Sequence, residues 1–378
     1  MKWLGTGRRG KAMGFEKSSV IQQPTIQTVR SRAVDVPLLR PLKTAAGEIP
    51  SAPLVLIDVE TEEGVSGHAY IFGYMVLTLK PLVSLIDQLG ELIKGKSVAP
   101  LARMRDFEKT FRLLGRQGLL GMAISGIDMA LWDALARAHD APLAEFLGGE
   151  LAPIPAYDSY GSVDPVRDRS EIERSLERGF KAIKIKIGDG DLAADVKTVA
   201  AVRGIIGDDV KLMVDYNQTL TVPEAIRRIE RLCEYDLEWV EEPVPAEDLI
   251  GHATVRAAGK IPIQTGENWW FPQGMAQAIA AKACDFAMPD IMKIGGVTGW
   301  LKAAAQAEAA SLPVSSHVFI EASAHMLNLT PTAHWLEYLD KARPILQDPI
   351  DAENGKVLAR GPGLGMIWDE DAVRRYLV

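Results

Sequence analysis

The sequence predicts an α/β fold, a (β/α)7β TIM-like barrel carrying an N-terminal α+β capping domain, on three observations. From Ile154 onward, short apolar segments alternate strictly with amphipathic stretches. Before that point the texture differs, with strand-like runs first and helix-like runs afterwards. Ionisable residues also recur at the C-terminal ends of the later strand candidates, about one strand–helix unit apart. Strict alternation calls for parallel strands, and eight of them predict a closed ring. A chain of 378 residues has the length for a barrel and a cap.

Taken in order, residues 1–23 read as a flexible leader. Met1–Lys17 holds five basic residues and one acidic one, with no apolar stretch behind them and no secretory pattern. The cap is expected over 24–145. Thr25–Leu38 and Ala52–Phe72, rich in Val, Ile and Leu, read as strands, and Glu62-Glu63-Gly64 as a hairpin turn. Leu77–Ile93 has apolar residues three and four apart. Leu119–His139 carries a small-residue stripe, Ala123, Gly126, Ala130, Ala134 and Ala138, suited to close packing.

The barrel is expected over 146–350. Its strand candidates are Ile154–Ser159, Ala182–Ile187, Leu212–Asn217, Leu237–Glu242, Pro262–Glu267, Phe286–Asp290, Pro313–Phe319 and Trp335–Leu339. Between them lie helical stripes such as Leu192, Val196, Val199 and Val202, or Ile226, Ile229 and Leu232 behind a capping pattern at Thr221 and Glu224. Residues 351–378 turn Gly- and Pro-rich at first and are expected to pack back on the cap.

Composition narrows the function classes. A net charge of −8 offers no basic footprint for nucleic acid. No apolar run reads as long enough to span a bilayer, so no membrane partner is expected. Two cysteines, Cys233 and Cys284, lack metal-type spacing and read as packing residues of a reduced, cytoplasmic protein.

The chemistry lies in where the charges fall. Lys184 and Lys186, Asp215, Glu241, Glu267, Asp290, His317 and Glu337 stand at or near successive strand ends. From Lys186 onward their separations are 29, 26, 26, 23, 27 and 20 residues. In barrels of this kind, one set of strand ends builds the active site. Asp215, Glu241 and Glu267 fall on adjacent strands, and three carboxylates in one confined site call for a cation. All-oxygen ligands favour Mg2+ over zinc. Singly, each acid would read as a helix cap or a surface pair.

In Lys184-Ile185-Lys186 the period of two puts both ammonium groups on one face. Ile183, Ile185 and Ile187 make the other face apolar, so the lysines are expected to point into the barrel. Crowding there is expected to depress their pKa values and fit one of them as a general base. Asp290 and His317 end neighbouring strands, where the carboxylate would set the imidazole tautomer. A cation on a substrate carboxylate, with bases on opposite faces, would remove and return the proton beside that carboxylate by way of an enediolate.

Several stretches carry a family resemblance. They are Lys184-Ile185-Lys186, Met213-Val214-Asp215-Tyr216-Asn217-Gln218, Glu241-Glu242-Pro243, Gly266-Glu267-Asn268-Trp269 and Met288-Pro289-Asp290. With them go Lys293-Ile294-Gly295-Gly296-Val297-Thr298-Gly299-Trp300, Ser315-Ser316-His317 and Pro331-Thr332-Ala333-His334-Trp335-Leu336-Glu337. From about Arg32 to Val378 the chain resembles the mandelate racemase subgroup of the enolase superfamily.

The resemblance implies that Lys186 is the base for one enantiomer and His317, held by Asp290, the base for the other. It implies that Lys184 lowers the pKa of Lys186 and contacts the substrate carboxylate, and that Asp215, Glu241 and Glu267 bind Mg2+. Asn217 and Ser159 would hold substrate oxygens. Glu337 would donate a hydrogen bond as a protonated acid, with an ionised ion-pair partner as the alternative. Racemisation or epimerisation of mandelate or a related α-hydroxy acid is implied, with acid-sugar dehydration as the alternative outcome of the same residues. A homo-oligomer, an octamer, is implied as well. A catalytically silent barrel is a poorer reading, because no position of the pattern has lost its ionisable group.

The specificity region departs from the family. Leu38–Ile49 carries Arg40, Lys43 and Glu48 where an apolar cap loop is expected. Tyr160 stands beside Ser159 in place of a histidine. Phe72 and Tyr74 are kept, and Arg112 replaces a small side chain, so Tyr74 and Arg112 are candidate substrate contacts. Arg40, Lys43 and Arg112 either lie solvated on the cap or prepare the site for a polar substrate or a second carboxylate.

Overall fold

The structure, a computed structural model, describes residues 23–44 and 47–378. Residues 1–22 of the expected leader lie outside the described residues.

Three antiparallel strands, β1 (Ile26–Thr44), β2 (Gly47–Thr61) and β3 (Ser66–Phe72), form the first sheet in the order β1-β2-β3. The turn at Glu62-Glu63-Gly64 joins β2 to β3, with Gly64 at φ +81°. Helix α1 (Val76–Ile93) buries Leu79, Leu82, Ile86, Leu89 and Ile93, a stripe at spacings of three and four that packs on β1. Helix α2 (Pro100–Thr110) was not legible in the sequence, because only Pro100, Met104 and Phe107 are buried and the apolar stripe is thin.

Helix α3 (Leu119–Arg137) is buried from Leu120 to Ala136. This corrects the expectation that no run reaches membrane length: α3 has 19 residues and a mean hydropathy of 1.4, enough to cross a bilayer. It is instead wrapped by β3, β2, α1, α2 and, from the barrel, α10 (Gly296–Ala310). Its small residues seat against the sheet, and a Cβ on Gly67 of β3 would lie 2.2 Å from the Ala130 carbonyl oxygen. The short α4 (Leu143–Phe146) ends this unit.

The barrel strands β4 (Ile154–Ser162), β5 (Ala182–Lys186), β6 (Lys211–Asp215), β7 (Leu237–Glu241), β8 (Ile263–Thr265), β9 (Phe286–Ala287) and β10 (Leu336–Tyr338) pair in parallel in the order β10-β4-β5-β6-β7-β8-β9. Seven parallel strands, not eight, are regular. The expected strand Pro313–Phe319 is reduced to single bridges, from Val314 to Ala287 and Ala333 and from His317 to Asp290, which close the ring. It cannot continue as a ladder because Val318 and Phe319 take φ of 42° and 50°, turning the chain into α11 (Ile320–Asn328).

Helices α5 (Arg169–Glu177), α6 (Leu192–Ile206), α7 (Val222–Leu232), α8 (Leu249–Ala258) and α9 (Phe271–Ala281), with α10 and α11, follow the strands. On β5, Ile183 and Ile185, with Ile187 beyond it, pack outward with Val199, Val202 and Ile206. Below the mouth, Tyr157, Ala182, Met213 and Trp239 fill the barrel as a separate apolar plug. The capping box expected at Thr221 and Glu224 is not made. Thr221 donates and accepts no side-chain cap bond, and Glu224 is held by Arg227 and Arg228. Pro223 also removes one of the amide donors that a cap would satisfy.

In the C-terminal segment, β11 (Lys356–Val357) pairs antiparallel with β4. The chain then returns to the first sheet, where Trp368 Nε1 donates to Asp58 at 2.7 Å and α12 (Glu370–Tyr376) packs on β1. Cys284 is buried, Cys233 is half-buried, and both are free thiols.

Candidate active site

Parallel register explains why distant charges meet. Lys186 pairs with Asp215, Asp215 with Glu241, and Glu241 with Gln264, so one layer of the barrel carries a lysine, two acids and an amide side by side. Glu267 follows two residues beyond β8. Gly266 between them has φ +143° and lies so near Met288 that a Cβ would sit 2.9 Å from its backbone. The β1–β2 hairpin arches over this mouth. Gly161 of β4 lets it approach, since a Cβ there would lie 2.2 Å from the Lys43 carbonyl oxygen.

The result is a cavity of about 190 Å³. Its charged side holds Ser159, Lys184, Lys186, Asn217, Glu267, His317 and Glu337, and its apolar side Leu38, Leu42, Ile49, Phe72 and Leu339. Lys184 Nζ lies 2.6 Å from Glu241, 2.8 Å from Glu337 and 3.9 Å from Asp215. Lys186 Nζ lies 2.5 Å from Asp215. Burial works against both ammonium ions, but these carboxylates outweigh it and hold both lysines above their usual pKa. Lys184 does lower Lys186, as expected of two adjacent lysines, but burial and this repulsion together are outweighed by Asp215 and Glu267, so the expected net depression is not reached.

His317 is held from both sides. Its Nδ1 is 2.6 Å from Asp290 Oδ2 and its Nε2 is 3.2 Å from Glu267. Met292 N–H donates to Asp290 Oδ1 at 2.7 Å, which fixes the carboxylate plane. Burial lowers the imidazole, yet Glu267 and Asp290 prevail and raise it. The His317 segment and β5 stand three steps apart around the ring, by way of β10 and β4.

Asp215, Glu241 and Glu267 do not converge on one point. Among the described residues no three His, Cys, Asp or Glu side chains form a ready metal cage. Lys186 and Lys184 hold Asp215 and Glu241, and His317 faces Glu267. The donor set nonetheless fits a hard divalent cation: three carboxylates in one mouth, with no thiolate. Burial, with Asp215, Glu337 and Glu267 adding to it, pushes Glu241 up to about 8 against the pull of Lys184, so the cluster is short of positive charge. Beside it, Gln264 Nε2 donates to Glu241 at 3.2 Å while the buried Gln264 Oε1 has no partner.

Comparison with known proteins names the lineage. Residues 26–148 match the mandelate racemase / muconate lactonizing enzyme N-terminal domain, and residues 167–372 match the enolase C-terminal domain-like family. The chain belongs to the mandelate racemase subgroup of the enolase superfamily. It is 31% identical to the D-galactarolactone cycloisomerase of Agrobacterium fabrum, over 93% of this chain and 98% of that one. It is 34% identical to the L-talarate/galactarate dehydratase of Salmonella typhimurium, over 69% of this chain and 67% of that one. Among solved structures, an enolase from Bradyrhizobium complexed with magnesium and mandelic acid superposes with a TM-score of 0.94. That protein is 54% identical, and the match covers 95% of this chain and all of that one.

Within this enolase-superfamily enzyme, several expected residues stand differently. Glu337 is not held protonated. Burial would raise it, but Lys184 and His317 keep it well below the usual carboxylate range, so the ion-pair alternative describes it. It also accepts from Ser159 Oγ at 2.8 Å and Val318 N–H at 3.0 Å. Asn217 lines the cavity with its amide 3.1 Å from Asp215. Tyr74 lines it too, at φ 62° and with its ring 4.6 Å from that of Phe72.

Arg112 is not brought to the site. It is exposed on the turn after α2, among Arg105, Glu108 and Arg116. Arg40 is half-buried and is not aimed at substrate. Its guanidinium donates to Asp158 at 2.7 Å and to the Ser159 carbonyl at 2.7 Å, and stacks 3.7 Å from the Tyr160 ring centroid. It fastens the β1 arm to β4.

One cavity residue went unnoticed in the sequence. Lys341 lies beyond β10, and burial pulls its ammonium down to about 8 despite Glu337 and Asp290. The signal was available, since the period of two from Glu337 through Leu339 reaches Lys341.

Proposed function

We propose that this enzyme removes the α-proton of a 2-hydroxycarboxylate and returns it to the opposite face, racemising or epimerising mandelate or a related acid. The observation that carries this reading is the pair of candidate bases, Lys186 and the His317–Asp290 dyad, lining one cavity from well-separated strands. The Bradyrhizobium structure, with magnesium and mandelic acid together, supports the ligand class and the metal.

Asp215, Glu241 and Glu267 would hold Mg2+. When bound, the ion supplies positive charge that offsets the charge developing on the substrate carboxylate. Lys184 binds that carboxylate, and Ser159 and Asn217 hold substrate oxygens. With Asp215 given over to the ion, Lys186 would lose the carboxylate that holds it protonated. Unprotonated Lys186 Nζ would then take the proton from one enantiomer, the C–H electron pair remaining with the substrate, and protonated His317 Nε2 would deliver a proton to the other face. Asp290 keeps Nδ1–H as a donor, so Nε2 is the reactive nitrogen. Leu38, Leu42 and Ile49 of the β1–β2 arm give the cavity its apolar wall, which favours a dry site for the proton transfer.

A second reading, dehydration of an acid sugar, is favoured by the 34% identical talarate/galactarate dehydratase. His317 would then protonate a departing hydroxyl. The test is deuterium uptake at the α-carbon across 2-hydroxy acids and sugar acids, with Mg2+ and after EDTA treatment. Exchange that needs Mg2+ supports the reading, loss of water separates the two outcomes, and no exchange with any acid refutes both.

A further inference from the structure

Beyond the expected groups, the cavity holds one cation that the chemistry does not use. Past the end of β10 the chain keeps its alternation. Glu337, Leu339 and Lys341 face the cavity, while Tyr338 and Asp340 face away, both held by Arg343 at 3.2 and 2.8 Å. Arg343 therefore fixes the direction in which Lys341 points.

Among the described residues no carboxylate lies within ion-pair distance of Lys341. Its close contact is the Phe72 ring, with Nζ 3.8 Å from the centroid. The nearest acids that act on it are engaged elsewhere, Glu337 with Lys184 and both Asp290 and Glu267 with His317. An ammonium ion placed among Leu38, Leu42, Phe72 and Leu339 without a counter-ion costs stability, and a cation–π contact recovers only part of it. A structural role is thus poorly served. A ligand-binding role is well served, since the ion is aimed into the space where the part of the substrate beyond the α-carbon must lie.

We propose that Lys341 receives a second anionic group, so that the preferred substrate is a 2-hydroxy dicarboxylate with its far carboxylate on Lys341 Nζ. This rests on the proposed α-proton chemistry but not on whether that chemistry ends in racemisation or dehydration. The near carboxylate binds at Lys184, the chain crosses Leu339, and the far carboxylate pairs with the ammonium ion. The three other cations expected for this task are unavailable to it, Arg40 because it is held by Asp158, and Lys43 and Arg112 because neither lines the cavity.

The experiment compares matched acids that differ only in the far group: 2-hydroxyglutarate against 2-hydroxyvalerate, and galactarate against galactonate. Mg2+-loaded enzyme is assayed for α-proton exchange, and kcat/KM is taken for each. A charge-assisted hydrogen bond predicts that the diacid of at least one pair leads by about tenfold or more. Lys341→Met should collapse that ratio towards one, and Lys341→Arg should restore part of it. Equal rates for both members of both pairs on the unmodified enzyme overturn the proposal, whatever the variants do. A preference that survives Lys341→Met overturns it too. Exchange confined to monoacids leaves the proton chemistry standing and removes only this inference, whereas no exchange with any acid removes both.

Discussion

Replacing Asp290 by asparagine should silence His317 as a base while leaving Lys186 competent. Met292 N–H donates to Oδ1 at 2.7 Å, so in the variant the amide oxygen is selected for that position. The amide nitrogen must then occupy the place of Oδ2, 2.6 Å from His317 Nδ1. Two donors cannot share that contact, so Nδ1 gives up its proton and accepts, and Nε2 carries hydrogen instead. The nitrogen that faces the cavity is then no longer a base in the neutral ring. Loss of the charge-assisted bond alone is worth about 1.5–3 kcal/mol, or roughly 10–100-fold. The wrong tautomer carries a larger penalty, on the order of 10⁴ where a triad aspartate is replaced in the same way. The assay is α-hydrogen exchange in D2O, followed separately for each pure enantiomer. Exchange on the His317 side should fall by about 10³ or more, and on the Lys186 side by less than about tenfold. Equal losses on both sides, or none on the His317 side, would refute the reasoning.

Other outcomes follow from the same geometry. Lys186→Ala should abolish exchange from one enantiomer while some survives from the other, and symmetrical loss would remove Lys186 from its role. Arg112→Ala should leave kcat and KM unchanged within twofold for every substrate that turns over, since Arg112 lies outside the cavity; a specific change in KM would contradict this placement.

Asp128 joins α3 to α10, accepting from Thr298 Oγ1 at 2.6 Å and Thr298 N–H at 2.9 Å, and burial pushes its carboxyl up to about 7. The folded state therefore binds a proton more tightly than the unfolded chain, whose value is near 3.8. Stability from this group is present below pH 4 and lost as pH rises to 7, by up to about 4 kcal/mol in all. Asp128→Asn should flatten that slope in urea unfolding between pH 5 and 7.5, and an unaltered slope would show that Asp128 is ionised in the fold.

Much of the site was legible because barrel chemistry follows strand periodicity. Lys184 and Lys186 face inward for the reason that Ile183, Ile185 and Ile187 do not. The His317–Asp290 contact followed from two neighbouring strand ends. Elements with weak local signals were missed. Helix α2 has too few apolar residues, and the Thr221–Glu224 cap was overruled by Arg227 and Arg228. The regular strand expected at Pro313–Phe319 was prevented by left-handed backbone at Val318 and Phe319.

The linear order of residues by itself determined the architecture and most of the side chains that share the mouth, because these rest on periods of two and 3.6 and on repeated spacing, while the lineage was carried by the motifs between Lys184 and Glu337. Only the tertiary structure decided charge states and occupancy. Glu337 is ionised because Lys184 and His317 reach it, and both lysines are raised because acids from β6, β7 and β10 surround them. Arg40 is committed to Asp158, and Lys341 faces the cavity beside the Phe72 ring with no carboxylate partner among the described residues. Electrostatic energy depends on distance between groups from remote parts of the chain, and no local pattern encodes that distance.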